Sequence, residues 1–144
     1  MRVGSFNVQR PAYWDRNPVP IAKYNFVTIT GPAAALVTAA MYTVPTGKRF
    51  IMSGIYLTHN IRVALTAGDF MSNRLIMNIQ GGANTRIQTY DDYTTTANYW
   101  HEVVVPSGMT FYQTDVLSHQ YQYNFAGAGS VSFWCAINGV EFDA

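Results

Sequence analysis

The stretch Val44-Pro45-Thr46-Gly47-Lys48-Arg49-Phe50 returns as Val105-Pro106-Ser107-Gly108-Met109-Thr110-Phe111, an internal repeat offset by about sixty residues. Each copy reads V-P-[TS]-G-x-x-F and runs into an alternating apolar pattern. Proline presets φ at the first central position of a tight turn, Thr or Ser takes the second, and Gly closes it. Two such corners, each launching a strand, predict an antiparallel β-protein whose halves begin alike.

Working outward, the chain alternates with period two almost everywhere beyond Lys23. Candidate strands are Tyr24–Thr30, Arg49–Thr58, Ile61–Leu65, Arg74–Ile79, Thr85–Tyr90, Tyr99–Val105, Met109–Val116, His119–Phe125, Ser130–Asn138 and Val140–Phe142. Phe50, Met52 and Tyr56 are expected on one face of their strand, and Ile51, Ile55 and Leu57 on the other. Tyr121, Tyr123 and Phe125 share a face, as do Val131, Phe133, Cys135 and Ile137. Turn signals separate the runs at Gly31-Pro32, Gly68-Asp69, Gly81-Gly82-Ala83-Asn84, Gly127-Ala128-Gly129 and Asn138-Gly139. Ala33–Ala40 reads equally as a short helix or as a strand or bend, and Asp91–Asn98 as an exposed loop. About eight to ten short strands with regular turn signals predict an all-β fold, a single antiparallel jelly roll or β-sandwich. An immunoglobulin-like sandwich is the alternative, weakened by the missing cysteine pair and the repeated corner.

Residues 1–22 differ in kind. Pro11, Pro18 and Pro20 exclude regular helix and discourage a central strand, yet the segment carries Phe6, Tyr13 and Trp14. It is expected to be an extended arm preceding a β-domain over residues 23–144. Phe6, Arg10, Tyr13, Trp14 and Arg16 are the expected contacts to a neighbouring subunit, with prolines limiting the entropy lost on docking.

Charge is sparse. Only 12% of the 144 residues are charged, against 49% hydrophobic and 15% aromatic. That share of charge is about half the usual one, and charge depletion marks surfaces covered by neighbours. All nine Lys and Arg lie at or before Arg86, whereas Asp91, Asp92, Glu102, Asp115, Glu141 and Asp143 lie beyond it. Either the two halves interleave and the asymmetry cancels, or a basic surface on one subunit meets an acidic one on the next. No dense basic patch suggests nucleic acid, and no run suggests a membrane span. Met1 is followed by polar and charged residues without an apolar h-region, so no signal peptide is expected.

No catalytic pattern stands out. His59, His101 and His119 lack ligand spacing; His119 reads as a hydrogen-bonded surface residue. Asp91-Asp92 lacks the EF-hand spacing and glycine. Cys135, the single cysteine, reads as a small buried hydrophobe. Pro106-Ser107-Gly108 resembles the corner of the second cupin motif, but Phe111 stands where that motif places a metal-binding histidine, as does Phe50 in the first copy. The H-x-H pair of the first cupin motif is missing too. No cofactor, metal or enzymatic activity is expected.

Strands entered through V-P-x-G-[KM]-x-F, with the closing Ile137-Asn138-Gly139-Val140-Glu141-Phe142, resemble small jelly-roll structural proteins of tailed bacteriophages, the capsid decoration (cement) and head-fibre proteins, over roughly residues 41–142. The resemblance implies a non-enzymatic virion protein made in the host cytoplasm, a homo-oligomer such as a trimer, bound to a major capsid or other virion protein. The alternative is a carbohydrate-binding sandwich or tail-fibre receptor module, in which Tyr93, Tyr99 and Trp100 would stack on sugar rings.

Overall fold

The computed structural model describes residues 16–79, 84–91 and 99–144, with the backbone alone for 84–86, 91 and 99–107. Eight strands carry the chain: β1 Val19–Thr30, β2 Ala33–Thr43, β3 Lys48–Val63, β4 Phe70–Asn78, β5 Asn84–Asp91, β6 Tyr99–Tyr112, β7 Val116–Phe125 and β8 Ser130–Asp143. They form two antiparallel four-stranded sheets, ordered β1-β8-β3-β6 and β2-β7-β4-β5. First pairs with last, second with second-last, and so inward to β4 with β5. One long ribbon has been rolled up, which is the jelly roll and not the immunoglobulin order.

The core lies between the sheets in two clusters. One is built on Phe50, Met52, Leu57, Leu75 and Phe111, the other on Ile61, Met71, Phe125, Val131 and Phe133. Each such side chain contributes about 1.5–3 kcal/mol by leaving water. The repeated phenylalanines meet here: Phe50 and Phe111 are directly opposite across β3 and β6, both fully buried, with ring centroids 6.1 Å apart.

The two corner motifs fold differently. In the first, Lys48 N–H donates to Pro45 O at 3.1 Å and Gly47 takes φ +77°. Pro45 therefore opens the turn, and Gly47, not Thr46, fills the left-handed position that a side chain disfavours. The expected placement is off by one residue. The second copy is no turn at all: β6 runs through it, and Val105 still pairs with Ile55. Between Met52↔Met109 and Gly54↔Pro106, Ser53 alone faces Ser107 and Gly108, a β-bulge. Proline is tolerated because β6 is an edge strand. The real corner follows at Tyr112–Asp115, where Thr114 has φ 72° and donates its N–H to Val44 O at 2.9 Å. The expected strand Met109–Val116 is split there.

Other boundaries change for stated reasons. Ala33–Ala40 is strand, since it pairs residue by residue with β7. Arg49–Thr58 and Ile61–Leu65 are largely one strand, β3. An extra residue at Ser53 reverses its alternation, so Met52 and Ile55 both point inward and Tyr56 outward. Asn138-Gly139 does not turn but lies within β8, opposite Gly54 and Met52. A Cβ on Gly139 would fall 2.2 Å from Ile51 O and 2.6 Å from the Phe50 ring, so glycine marks a close approach. Residues 19–22, expected in the arm, already pair with β8 from Val19↔Glu141 to Ala22↔Asn138. The hairpin residues 81–83 and the loop residues 92–98 lie outside the described residues.

Candidate assembly interface

Among the described residues, the outer face of the β1-β8-β3-β6 sheet carries a cluster of exposed aromatics. Period two turns Asn25, Val27, Phe133, Cys135, Ile55 and Leu57 inward, which commits Tyr24, Phe26, Trp134, Ala136 and Tyr56 to the outside. Register aligns them in rows: Tyr24, Ala136 and Tyr56 in one, Phe26, Trp134 and Thr58 in the next. Trp134 is the centre, edge-on to Phe26 with ring centroids at 5.8 Å and to Tyr56 at 5.9 Å. Tyr24 is 74% exposed, Phe26 51% and Trp134 40%.

Small residues beside the rings shape the face. Ala22, Gly54 and Ala136 floor a depression of about 370 Å³, walled by Tyr24, Tyr56 and Trp134. A second, of about 270 Å³, lies on the far side of Trp134 between Phe26, Asn60 and Arg62. Each aromatic ring covered here would bury about 150–250 Å².

Behind this face a polar staple joins the sheets. Asn73 of β4 reaches across the core, donating from Nδ2 to Thr58 O at 2.7 Å and to Trp134 O at 3.1 Å. Its Oδ1 accepts from His119 Nε2–H at 2.5 Å, and His119 Nδ1 accepts from Asn25 Nδ2 at 3.0 Å. His119 is therefore fully buried rather than on the surface: it heads the inward row that continues through Tyr121. Burial lowers its pKa to about 4, and both ring nitrogens are arranged for the neutral form. His59, also fully buried, bonds Thr89 Oγ1 through Nδ1 at 2.9 Å. His59 and His119 serve the core.

The opposite outer face is polar and internally bonded. Arg74 donates from Nη1 to Gln120 Oε1 at 3.0 Å and from Nη2 to Gln122 Oε1 at 3.3 Å, and Gln120 donates to Thr38 Oγ1 at 3.0 Å. Among the described residues its exposed large apolar side chains are Leu36 and Tyr90, on different strands. One face of the sandwich is thus sticky and the other wettable.

At one end of the β3–β8 pair an early lysine meets late acids. Lys48 Nζ bonds Asp143 Oδ1 at 2.6 Å and lies 4.0 Å from Glu141 Oε1. Asn17 Nδ2 donates to Asp143 Oδ2 at 2.7 Å, and these two donors hold the Asp143 carboxyl below its usual range. Tyr42 donates to Glu141; burial first, then that carboxylate, raises the phenol's pKa. Pairing β8 with β3 brings the late acids to an early lysine.

Of the expected contact residues, Phe6, Arg10, Tyr13 and Trp14 lie outside the described residues. Arg16 is exposed, and its carbonyl accepts from Asp143 N–H at 2.8 Å. Of the expected sugar-stacking residues, Tyr93 lies outside the described residues, while Tyr99 and Trp100 occupy β6 opposite Ile61 and Asn60. Cys135 is fully buried, and burial pushes its thiol up to about 12. Tyr24, Phe26, Tyr56 and Trp134 were not among the expected contacts. Their signal was present: Trp134 stands among Ser132, Ala136 and Asn138 on the small, polar side of an otherwise clean alternation.

No family model and no curated protein sequence matches this chain. Among solved structures it is similar to that of infectious bursal disease virus Gx strain, with 11% identity and a TM-score of 0.44, over 88% of this chain and 33% of that one. It is also similar to the infectious bursal disease virus VP2 subviral particle, with 10% identity and a TM-score of 0.37, over 89% of this chain and 38% of that one. This chain spans roughly a third of the length of those chains.

Proposed function

We propose that this chain is a non-enzymatic structural protein of a virion, a decoration or cement module that binds and stabilises a tailed-phage capsid and self-associates, as a trimer in the simplest case. The observation that carries this reading is the aromatic face centred on Trp134, on a jelly roll whose other face is polar. The sparse charge of the chain and the resemblance of its V-P-x-G corners to phage jelly-roll proteins support it. Mechanism here means burial: area and shape complementarity hold the lattice, and an arm adds reach and avidity.

Cosedimentation with purified capsid shells that lack the protein tests it. The full chain is expected to pellet with shells, and removal of residues 1–15 to abolish pelleting while the β-domain stays folded. The cut is placed before Arg16 because residues 19–22 belong to β1. No binding to any shell, together with saturable glycan binding lost on Trp100→Ala, would overturn the reading in favour of a carbohydrate-binding module.

A further inference from the structure

We infer that the groove beside Trp134 is the seat for Pro11-Ala12-Tyr13-Trp14 of a second copy of this chain. This deepens the proposed function and rests on it. The groove has the form that takes an extended, proline-containing segment: a floor of Ala22, Gly54 and Ala136 between rings of Tyr24, Tyr56 and Trp134. Aromatic-lined grooves recognise such segments because proline presets the extended conformation and its ring packs on aromatic faces. Residues 11–14 are the one place in the sequence where a proline and two aromatics stand within four residues.

Length bears on which copy supplies them. Arg16 is held beside Asp143 by its carbonyl, at one end of β8. Ala136 and Trp134 lie seven and nine residues further along that strand, up to roughly 23 and 30 Å away at about 3.3 Å per residue. Fully extended, Tyr13 and Trp14 reach no more than about 11 and 7 Å from Arg16. The backbone of the same chain therefore falls about 19 Å or more short of Trp134, which favours a neighbour's arm as the occupant. The contact is heterologous, arm onto face, so it propagates until a ring closes.

Complementation between two full-length variants tests this. Tyr13→Ala/Trp14→Ala keeps the face and loses the anchors; Tyr24→Ala/Trp134→Ala keeps the anchors and loses the seat. Each alone is expected to be monomeric, with self-association weakened on the order of tenfold or more. Mixed in equal amounts they retain one competent contact, so they should form a one-to-one heterodimer and nothing larger. Ala136→Arg, a charge on the groove floor, should behave like the second variant and guards against a failure of that variant to fold. If the arm variant keeps the wild-type mass, or the mixture stays monomeric, the inference is wrong. Pelleting of the wild-type chain with shells would still uphold the proposed function whatever the mass of the arm variant, so the two failures are distinguishable.

Discussion

His119 holds a ring nitrogen to each of two asparagines, Asn25 on one sheet and Asn73 on the other. The arrangement has room for one proton on the ring, not two, because Asn25 presents a donor to Nδ1. Burial lowers the folded-state pKa from 6.5 to about 4. The unfolded chain therefore takes up the proton first as pH falls. Stability attributable to this residue is complete above about pH 6.5, declines down to about pH 4 and levels off below, a loss of about 3 kcal/mol. Denaturant melts at several pH values should show that slope in the wild type and a smaller one in His119→Gln. Equal slopes would mean that the imidazole is not kept neutral by the fold.

At the scale of elements, the decisive features are places where one strand lies unusually close to another. Gly139 of β8 sits under the Phe50 ring and against Ile51 O of β3, and the obstructing atom at 2.2 Å is backbone, which cannot rotate away. Gly139→Ala is therefore expected to cost about 2–3 kcal/mol, read as a lower denaturation midpoint with an unchanged slope. A neutral substitution would show that β3 and β8 are not packed as described. The same region shows what local sequence could and could not reveal. Alternation in Tyr121-Gln122-Tyr123-Asn124-Phe125 was legible because one face is buried and one is not. Asn138-Gly139 and Val105-Pro106-Ser107-Gly108 carry turn chemistry, yet tertiary pairing overrides it. Glycine there admits a neighbouring ring, and proline sits on an edge strand that needs no donor. The Ser53 bulge was equally hidden, since an extra residue reverses alternation without any special residue type to announce it.

At the scale of the whole molecule, the sandwich has two unlike outer faces. Amides and Arg74 bond one another on the β2-β7-β4-β5 sheet, whereas aromatic rings around Trp134 stand open on the other. The class of fold could be read from periodicity and turn spacing, and low charge pointed to covered surface. The face itself could not be read, because it is assembled from β1, β3 and β8, strands far apart in the chain, by a register that only the rolled ribbon sets. Lys48 and Asp143 make the same point: a charge asymmetry along the sequence becomes an ion pair in space. Sedimentation velocity of the full chain and of Trp134→Ser over a range of concentrations tests the central claim directly. The wild type should sediment as a multiple of 16.1 kDa and the variant, with an unchanged melting profile, as the monomer. Equal masses for the two would contradict the assignment of this face to assembly.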